Sequence, residues 1–253
     1  MTDPNSDPRI QFETVEQCLC GTALSPGPLW GWGICSQCGT WVNSNRPTRN
    51  SLAAVYGRTY WTTTQELVNC PPLEVRFETD MRDRIPHYLG AILPHLAPAA
   101  ALAEVGCGHG RLLHELRLKG FRVTGLEFSS EIIARVVKLT DIPILQGGIE
   151  RLEHESLDAL ISIDVLEHMH EPLEFLRAHA RVLKPGGVML VHTPVHDKPN
   201  EPYAYTVGML WKLYHLYLFS RTLIERLFHE GGFRILAQDV RVFGWPVFVL
   251  RKR

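Results

Sequence analysis

The stretch "ALAEVGCGHGRLLHELRLKGFRVTGLEFSS", residues 101 to 130, decides the architecture. Its first five residues form a short apolar run that leads into glycines at 106, 108 and 110, the signature of a buried strand entering a loop. "RLLHELRLKG" then carries leucines at helical spacing and stops at Gly120, and "RVTGLEFS" is a second strand. Downstream the rhythm repeats. "SSEIIARVVKL" is a helix with Ser129 or Ser130 as N-cap and Glu131 in the favourable first turn. "IPILQG" and "LDALISIDVL" are strands three and four, "EPLEFLRAHARVL" is a helix, and "GGVMLVHTP" is a fifth strand. Short apolar strands alternating with helices predict a doubly wound, mostly parallel sheet covered on both faces. The end departs from that rhythm: "FRILAQDVRVFGWPVFVLRKR" reads as two strands joined by a Gly-Trp-Pro turn, which adds an antiparallel hairpin.

Upstream of this sheet the pattern is looser. Met81, Ile85, Leu89, Ile92 and Leu96 recur at three- and four-residue intervals and predict an amphipathic helix that Pro86 must open or kink. Before it lie a loose tail (1–11), a cysteine-paired module with its connector (12–60), and then the start of the main domain (61–253). With 45% apolar and 21% charged residues the chain is globular. "MTDPNSDPRI" lacks an export core, and no apolar run reaches the roughly 18 residues of a membrane span, so a cytoplasmic location without membrane partners is expected. The 26 basic residues face 27 acidic ones, and within 1–60 Arg9, Arg46, Arg49 and Arg58 are cancelled by Asp3, Asp7, Glu13 and Glu16. Nucleic-acid binding, which rests on phosphate contacts, is disfavoured.

The glycine loop implies close approach of a nucleotide-like ligand. Glu127 ends the second strand, 17 residues beyond Gly110, where an acidic side chain can accept both hydroxyls of a ribose, and Phe128 beside it can lie against an adenine ring. The dinucleotide pattern G-x-G-x-x-G is not met, because its third glycine position holds Arg111. Glu104, just before the loop, suits a cationic group better than a phosphate.

"EVGCGHGRLL", "VTGLEFS", "LDALISIDVLEHMHEP" and "ARVLKPGGVMLVHTP" together resemble the class I S-adenosylmethionine-dependent methyltransferases, in the branch that includes ubiquinone-biosynthesis-like O-methyltransferases. The match runs from about residue 80 to the end. This resemblance implies a seven-stranded sheet, with Glu104, Gly106, Cys107, Gly108 and Gly110 around the methionine part of the cofactor, Glu127 on its ribose and Phe128 at its adenine. Where the family usually has Asp after "QG", this chain has Gly148, which leaves the backbone at Gly148 and Ile149, or a displaced Glu150, for the adenine amino group.

Methyl transfer needs alignment of the acceptor and, for a hydroxyl, removal of its proton. "DVLEH" places Asp164, Glu167 and His168 at the ligand-binding end of the fourth strand, with His168 the candidate base and Asp164 also beside the cofactor. Alternatively this Glu and His orient the backbone around the methyl end. In a third reading Asp164, Glu167 and His168 converge on one helical face and bind a divalent ion, as a similar Glu-x-x-Glu-His run does in some relatives. His196, Tyr203, Tyr205 and His215 are candidate acceptor contacts in an aromatic insert, whereas His192 is expected to point away along its strand.

The remaining motif is "CLCGTALSPGPLWGWGICSQCG", residues 18 to 39. Cys18, Cys20, Cys35 and Cys38 make two tight pairs, each followed by glycine, and the first histidine is His87, so a tetrahedral zinc site would use all four thiolates. Reduced thiols without an ion are the alternative. Cys70 and Cys107 have no paired partner and are expected to be structural. The module is expected to hold Trp30, Trp32, Trp41 and the following tyrosines over the substrate mouth. Tyr56, Gly57, Tyr60 and Trp61 resemble the segment that follows such a knuckle in sugar C-methyltransferases and other methyltransferases. The expected function is therefore transfer of a methyl group from S-adenosylmethionine to an oxygen of a small-molecule acceptor; an RNA methyltransferase that uses the zinc module for recognition, a sugar C-methyltransferase and a noncatalytic cofactor-binding protein are the alternatives.

Overall fold

The computed structural model describes residues 8–27, 31–56, 71–196 and 215–253. The cysteine-paired stretch holds five short strands: β1 (Phe12–Thr14), β2 (Leu24–Pro26), β3 (Trp32–Cys35), β4 (Trp41–Asn43) and β5 (Asn45–Pro47). β6 (Ala101–Val105), β7 (Arg122–Glu127), β8 (Ile144–Gln146), β9 (Leu157–Ile163) and β10 (Leu183–His192) follow. The chain closes with β11 (Val195–His196), β12 (Tyr217–Ser220), β13 (Phe233–Ala237), β14 (Arg241–Val242) and β15 (Trp245–Lys252).

The main sheet runs β8-β7-β6-β9-β10-β15-β13, with β14 added on β15. All pairings from β8 to β10 are parallel, and β15 is antiparallel to both of its neighbours. This is the doubly wound, mostly parallel sheet with an antiparallel end that the alternation predicts. The order reverses between β6 and β9, and ligands bind at such a switch point, beyond the carboxyl ends of the strands. Residue alternation explains the two-sided burial. Ala103, Val105, Met189, Val191, Phe248 and Leu250 face one layer, with Leu176, Leu223, Leu227 and Phe228. Leu102, Leu190, Val247 and Val249 face the other, with Ile85, Leu89, Leu112 and Leu116.

Two local details differ from the sequence reading and a third decides between its alternatives. The turn before β15 is Phe243-Gly244, both at positive φ (51° and 84°), so Trp245 and Pro246 belong to the strand. Two left-handed residues give the two-residue hairpin whose twist matches its strands, and Pro246 stands near the start of β15, opposite Arg241. The periodic stretch around Pro86 is two helices, Leu73–Asp83 and Ile85–Ile92, and Pro86 sits in the first turn of the second. Ser129, rather than Ser130, caps the helix Ser130–Thr140, its Oγ accepting from the Ile132 N–H.

The cysteine-bearing strands enter a second sheet, ordered β11-β12-β4-β3-β2. β4 pairs antiparallel with β12, Val42 opposite Tyr217 and Trp41 opposite Leu218. The small sheet thus joins residues before 60 to residues after 190. Trp32 and Trp41 are buried against Leu218 and form its core, which corrects their expected place at a substrate mouth. Trp30, Gly57, Tyr60, Trp61, Cys70, Tyr203 and Tyr205 lie outside the described residues. Among the described residues no helix is long and apolar enough to cross a membrane.

Candidate functional site

One end of the site is built by β6, β7 and the loop between β6 and the helix Arg111–Leu118. The N–H groups of Gly106 and Cys107 both donate to the Leu126 carbonyl, at 2.8 and 3.1 Å, which pins the loop to β7. A Cβ on Gly106 would stand 2.8 Å from Val165 Cγ2, and one on Gly110 2.6 Å from Val136 Cγ1, at φ values of 66° and 72°. Neither position accepts a side chain, and the loop stays bare backbone. The Cys107 side chain turns away from this surface into the core with Leu112 and Leu113, where burial pushes its thiol well up.

Two carboxylates flank the loop. Glu104 is buried, and its Oε2 has no hydrogen-bond partner among the described residues. Burial pushes it up to about 8, opposed by the charge of Arg84. A buried carboxyl with an open oxygen is costly unless a cation meets it, which fits a ligand carrying positive charge beside the glycines. Glu127 is held differently. Its Oε1 accepts the Phe128 and Ser129 N–H groups at 2.8 and 3.1 Å. Burial raises its pKa, and N–H groups including that of Gly108 oppose the rise. Phe128 is 63% exposed. Its ring edge would lie 3.4 Å from a Cβ on Gly148, and Glu150 Oε2 would lie at 2.8 Å. Glu150 Oε1 accepts the Gly148 N–H at 2.8 Å. Glu150 therefore fills the space that a side chain at 148 would take, and Ile149 begins the short turn Ile149–Arg151 beneath it.

The other end lies at the carboxyl edges of β9 and β10. Asp164 follows β9 with φ 54°, a left-handed conformation unusual for a residue with a side chain. Its Oδ1 faces His192 Nδ1 at 2.8 Å, and its Oδ2 accepts from Arg84 Nη2 at 2.5 Å. Burial would raise this carboxyl, but Arg84 and His192 outweigh it and hold it well below the usual carboxylate range. Arg84 lies over the rings of Tyr88 and Phe243, at 5.6 and 5.2 Å. His192 therefore joins the site instead of pointing away. Asp80 continues the chain of charges, 3.9 Å from Arg84 Nη1 and 2.8 Å from His109 Nε2, and ties the helix Leu73–Asp83 to the glycine loop.

This network corrects the expected convergence of Asp164, Glu167 and His168. Asp164 is turned toward Arg84 and His192, and His215 takes the third place instead: one donor atom each from Glu167, His168 and His215 lies within 4.8 Å of the others. Glu167 Oε2 accepts from the Thr193 hydroxyl at 2.8 Å, while its buried Oε1 has no hydrogen-bond partner among the described residues and lies 3.8 Å from His168 Nε2 and 4.0 Å from His215 Nε2. Burial and the Asp164 charge push Glu167 up to about 8. Burial and His168 push His215 down to about 3, so its ring is neutral near pH 7. On the far side of the His168 ring, Nδ1 is 2.9 Å from the Tyr56 hydroxyl. His196 is buried in β11.

Sequence reasoning passed over Arg84 and Tyr88 and set His192 aside. Only His192 carried a usable signal, because it ends β10 at the same sheet edge as Asp164.

The four paired cysteines meet. Sγ atoms of Cys18 and Cys38 are 3.6 Å apart, and those of Cys20 and Cys35 3.4 Å, far beyond the roughly 2.05 Å of a disulfide. Gly21 and Gly39, at φ 86° and 77°, curl the backbone after each pair, and their N–H groups donate to the Cys18 and Cys35 carbonyls. The Cys38 N–H points at Cys35 Sγ, 3.4 Å away.

Comparison with known proteins accords with this geometry. Residues 77–238 match the family described as a methyltransferase domain. A ubiquinone biosynthesis O-methyltransferase of Caulobacter vibrioides is 35% identical over 100 residues, which are 36% of this chain and 40% of that protein. Among solved structures, a chain in the complex of the Haloferax volcanii Trm112 methyltransferase activator with its methyltransferase partner superposes with a TM-score of 0.58 at 18% identity, covering 70% of this chain and 92% of that one. A Mesorhizobium loti S-adenosylmethionine-dependent methyltransferase gives a TM-score of 0.54 at 17% identity, covering 65% and 96%. The structural likeness speaks for the fold, and the family match spans most of the sheet and both ends of the site. By that match, this chain belongs to the methyltransferase-domain family.

Proposed function

We propose that the protein is an S-adenosylmethionine-dependent methyltransferase that methylates an oxygen of a small-molecule acceptor. The observation that carries this reading is the pair of carboxylates on one glycine loop: Glu104 with an open buried oxygen for a cation, and Glu127 at the end of β7 for a diol. Bound there, S-adenosylmethionine supplies an activated sulfonium methyl group. Glu104 meets its positive charge, bare backbone at Gly106, Gly108 and Gly110 lets its chain lie close, Glu127 accepts the ribose hydroxyls and Phe128 covers the adenine. Glu150 replaces the missing aspartate at 148 as acceptor for the adenine amino group, beside the backbone of Gly148 and Ile149.

At the acceptor end, His168 takes the proton of the hydroxyl. Glu167 holds its own proton up to about pH 8 and so leaves His168 as the base at neutrality. Asp164 stays ionised between Arg84 and His192 and keeps a fixed negative charge beside the transfer path. Cys18, Cys20, Cys35 and Cys38 hold a structural zinc ion. A tetrahedron with Zn–S bonds of about 2.3 Å has edges of about 3.8 Å, close to the observed sulfur spacings.

Calorimetry with S-adenosylmethionine tests cofactor binding, and cell extracts supplied with methyl-labelled cofactor test acceptor class. A labelled small molecule lost in His168→Gln supports the reading. Labelled RNA, with salt-dependent RNA binding, overturns it. One observation favours a second reading of the acceptor end: the close donors of Glu167, His168 and His215 suit a divalent ion. Metal analysis separates the two, since one zinc per chain supports a proton-transfer site and a second ion lost in His215→Ala supports the metal.

A further inference from the structure

We infer that Tyr56, supplied by the N-terminal cysteine module, is a positioning residue that holds His168 as its Nδ1–H tautomer and so turns the basic Nε2 toward Glu167 and His215. The inference rests on the reading of His168 as the base and adds a partner from outside the methyltransferase sheet.

The geometry is that of a base held from behind. The Tyr56 hydroxyl stands 2.9 Å from Nδ1, and the two rings meet edge to face with centroids 5.8 Å apart. Nε2 is the nitrogen directed to the buried Oε1 of Glu167, at 3.8 Å, and the His168 and His215 rings lie 4.7 Å apart. A neutral imidazole carries one proton, and the hydrogen bond at one nitrogen decides which nitrogen keeps it. The Tyr56 hydroxyl can accept from Nδ1–H or donate to a bare Nδ1, and only the first arrangement leaves on Nε2 the lone pair that the base reading needs to take the acceptor's hydroxyl proton.

The module also fixes the opposing ring. Asn43 in β4 donates from Nδ2 to the His215 carbonyl at 3.2 Å, and its N–H donates to the Leu216 carbonyl at 2.9 Å. The Leu216 N–H in turn donates to the Glu167 carbonyl at 2.8 Å. Nearer the cysteines, the Thr40 and Ser220 hydroxyls are 3.0 Å apart in a buried contact. Residues 40 to 56 thus brace both histidines.

Long-range proton–nitrogen NMR of the full, zinc-loaded chain with labelled histidine reads the tautomer without an acceptor. His168 is assigned as the signal lost in His168→Gln. The expected result is a predominant Nδ1–H form in the wild type that becomes minor in Tyr56→Phe, while calorimetric affinity for S-adenosylhomocysteine changes by less than about twofold. A wild-type His168 in the Nε2–H form overturns the inference, as does an Nδ1–H form that survives Tyr56→Phe. The wild-type spectrum alone decides the first point if the variant folds poorly. Failure of the base reading is recognised separately: methyl transfer to the labelled product then survives His168→Gln while the tautomer remains as stated.

Discussion

The two ends of the site are built on opposite plans. The proposed cofactor end is local: Glu104, the three glycines, Glu127, Phe128 and Gly148 follow one another along a single strand-helix-strand-helix-strand run. The proposed acceptor end is assembled from afar, with Tyr56, Arg84, Asp164, Glu167, His168, His192 and His215 brought together by both sheets. A local site is robust, since its geometry follows from a few turns, whereas a dispersed one depends on every element that delivers a residue. Damage to the N-terminal module should therefore strike acceptor chemistry and spare cofactor binding.

Cys35→Ser breaks this contrast hardest if the contrast is wrong. The expected outcome is loss of zinc and a destabilisation of the small sheet on the order of 5 kcal/mol, with cofactor affinity nearly kept. Metal analysis, thermal melting and calorimetry measure the three quantities, and equal loss of cofactor binding would show that the ends are not separable. Arg84→Met comes next. It leaves the half-buried Asp164 carboxylate without its strongest counter-charge, and stability should fall by about 3 kcal/mol in denaturant titration. Glu127→Ala addresses only the local end. Losing its hydrogen bonds to the ribose should cost about 2 kcal/mol, or roughly thirtyfold in cofactor affinity, without moving the melting point of the small sheet.

The finest effect is a pH dependence set by Glu104. The folded, cofactor-free protein keeps this proton up to about pH 8, whereas the ordinary value is 4.5, so stability of the free protein declines as pH rises between these values. A cation beside Glu104 releases the proton. Cofactor affinity should accordingly rise with pH below 8, by up to about tenfold per pH unit, and level off above it. Calorimetry in buffers of different ionisation enthalpy should detect a released proton near pH 7 that Glu104→Gln removes.

The same contrast explains what the sequence disclosed. Glu127 and the loop glycines follow from spacing, because the strand and helix that carry them are adjacent in the chain. The cysteine pairs are equally plain, each closing over a few residues. Asp164 is the counterexample. Its place at the end of β9 is evident, but its direction is set by Arg84, 80 positions away, and by His192, 28 positions away. His215 meets Glu167 only because β12 pairs with β4, a pairing that no periodicity announces. The Phe243-Gly244 turn was hidden by Pro246, whose usual association with turns outweighed the left-handed pair just before it.

Val42 and Tyr217 stand opposite each other in the small sheet, although most of the main sheet lies between them in the chain. During synthesis the cysteine pairs emerge before the main sheet, whereas β12, the strand that completes their sheet, emerges only after β10. A pairing of such long range is slow to form. Until then Trp32, Trp41 and the β4 edge stay uncovered, which makes this the interval in which the nascent chain is most open to misassociation.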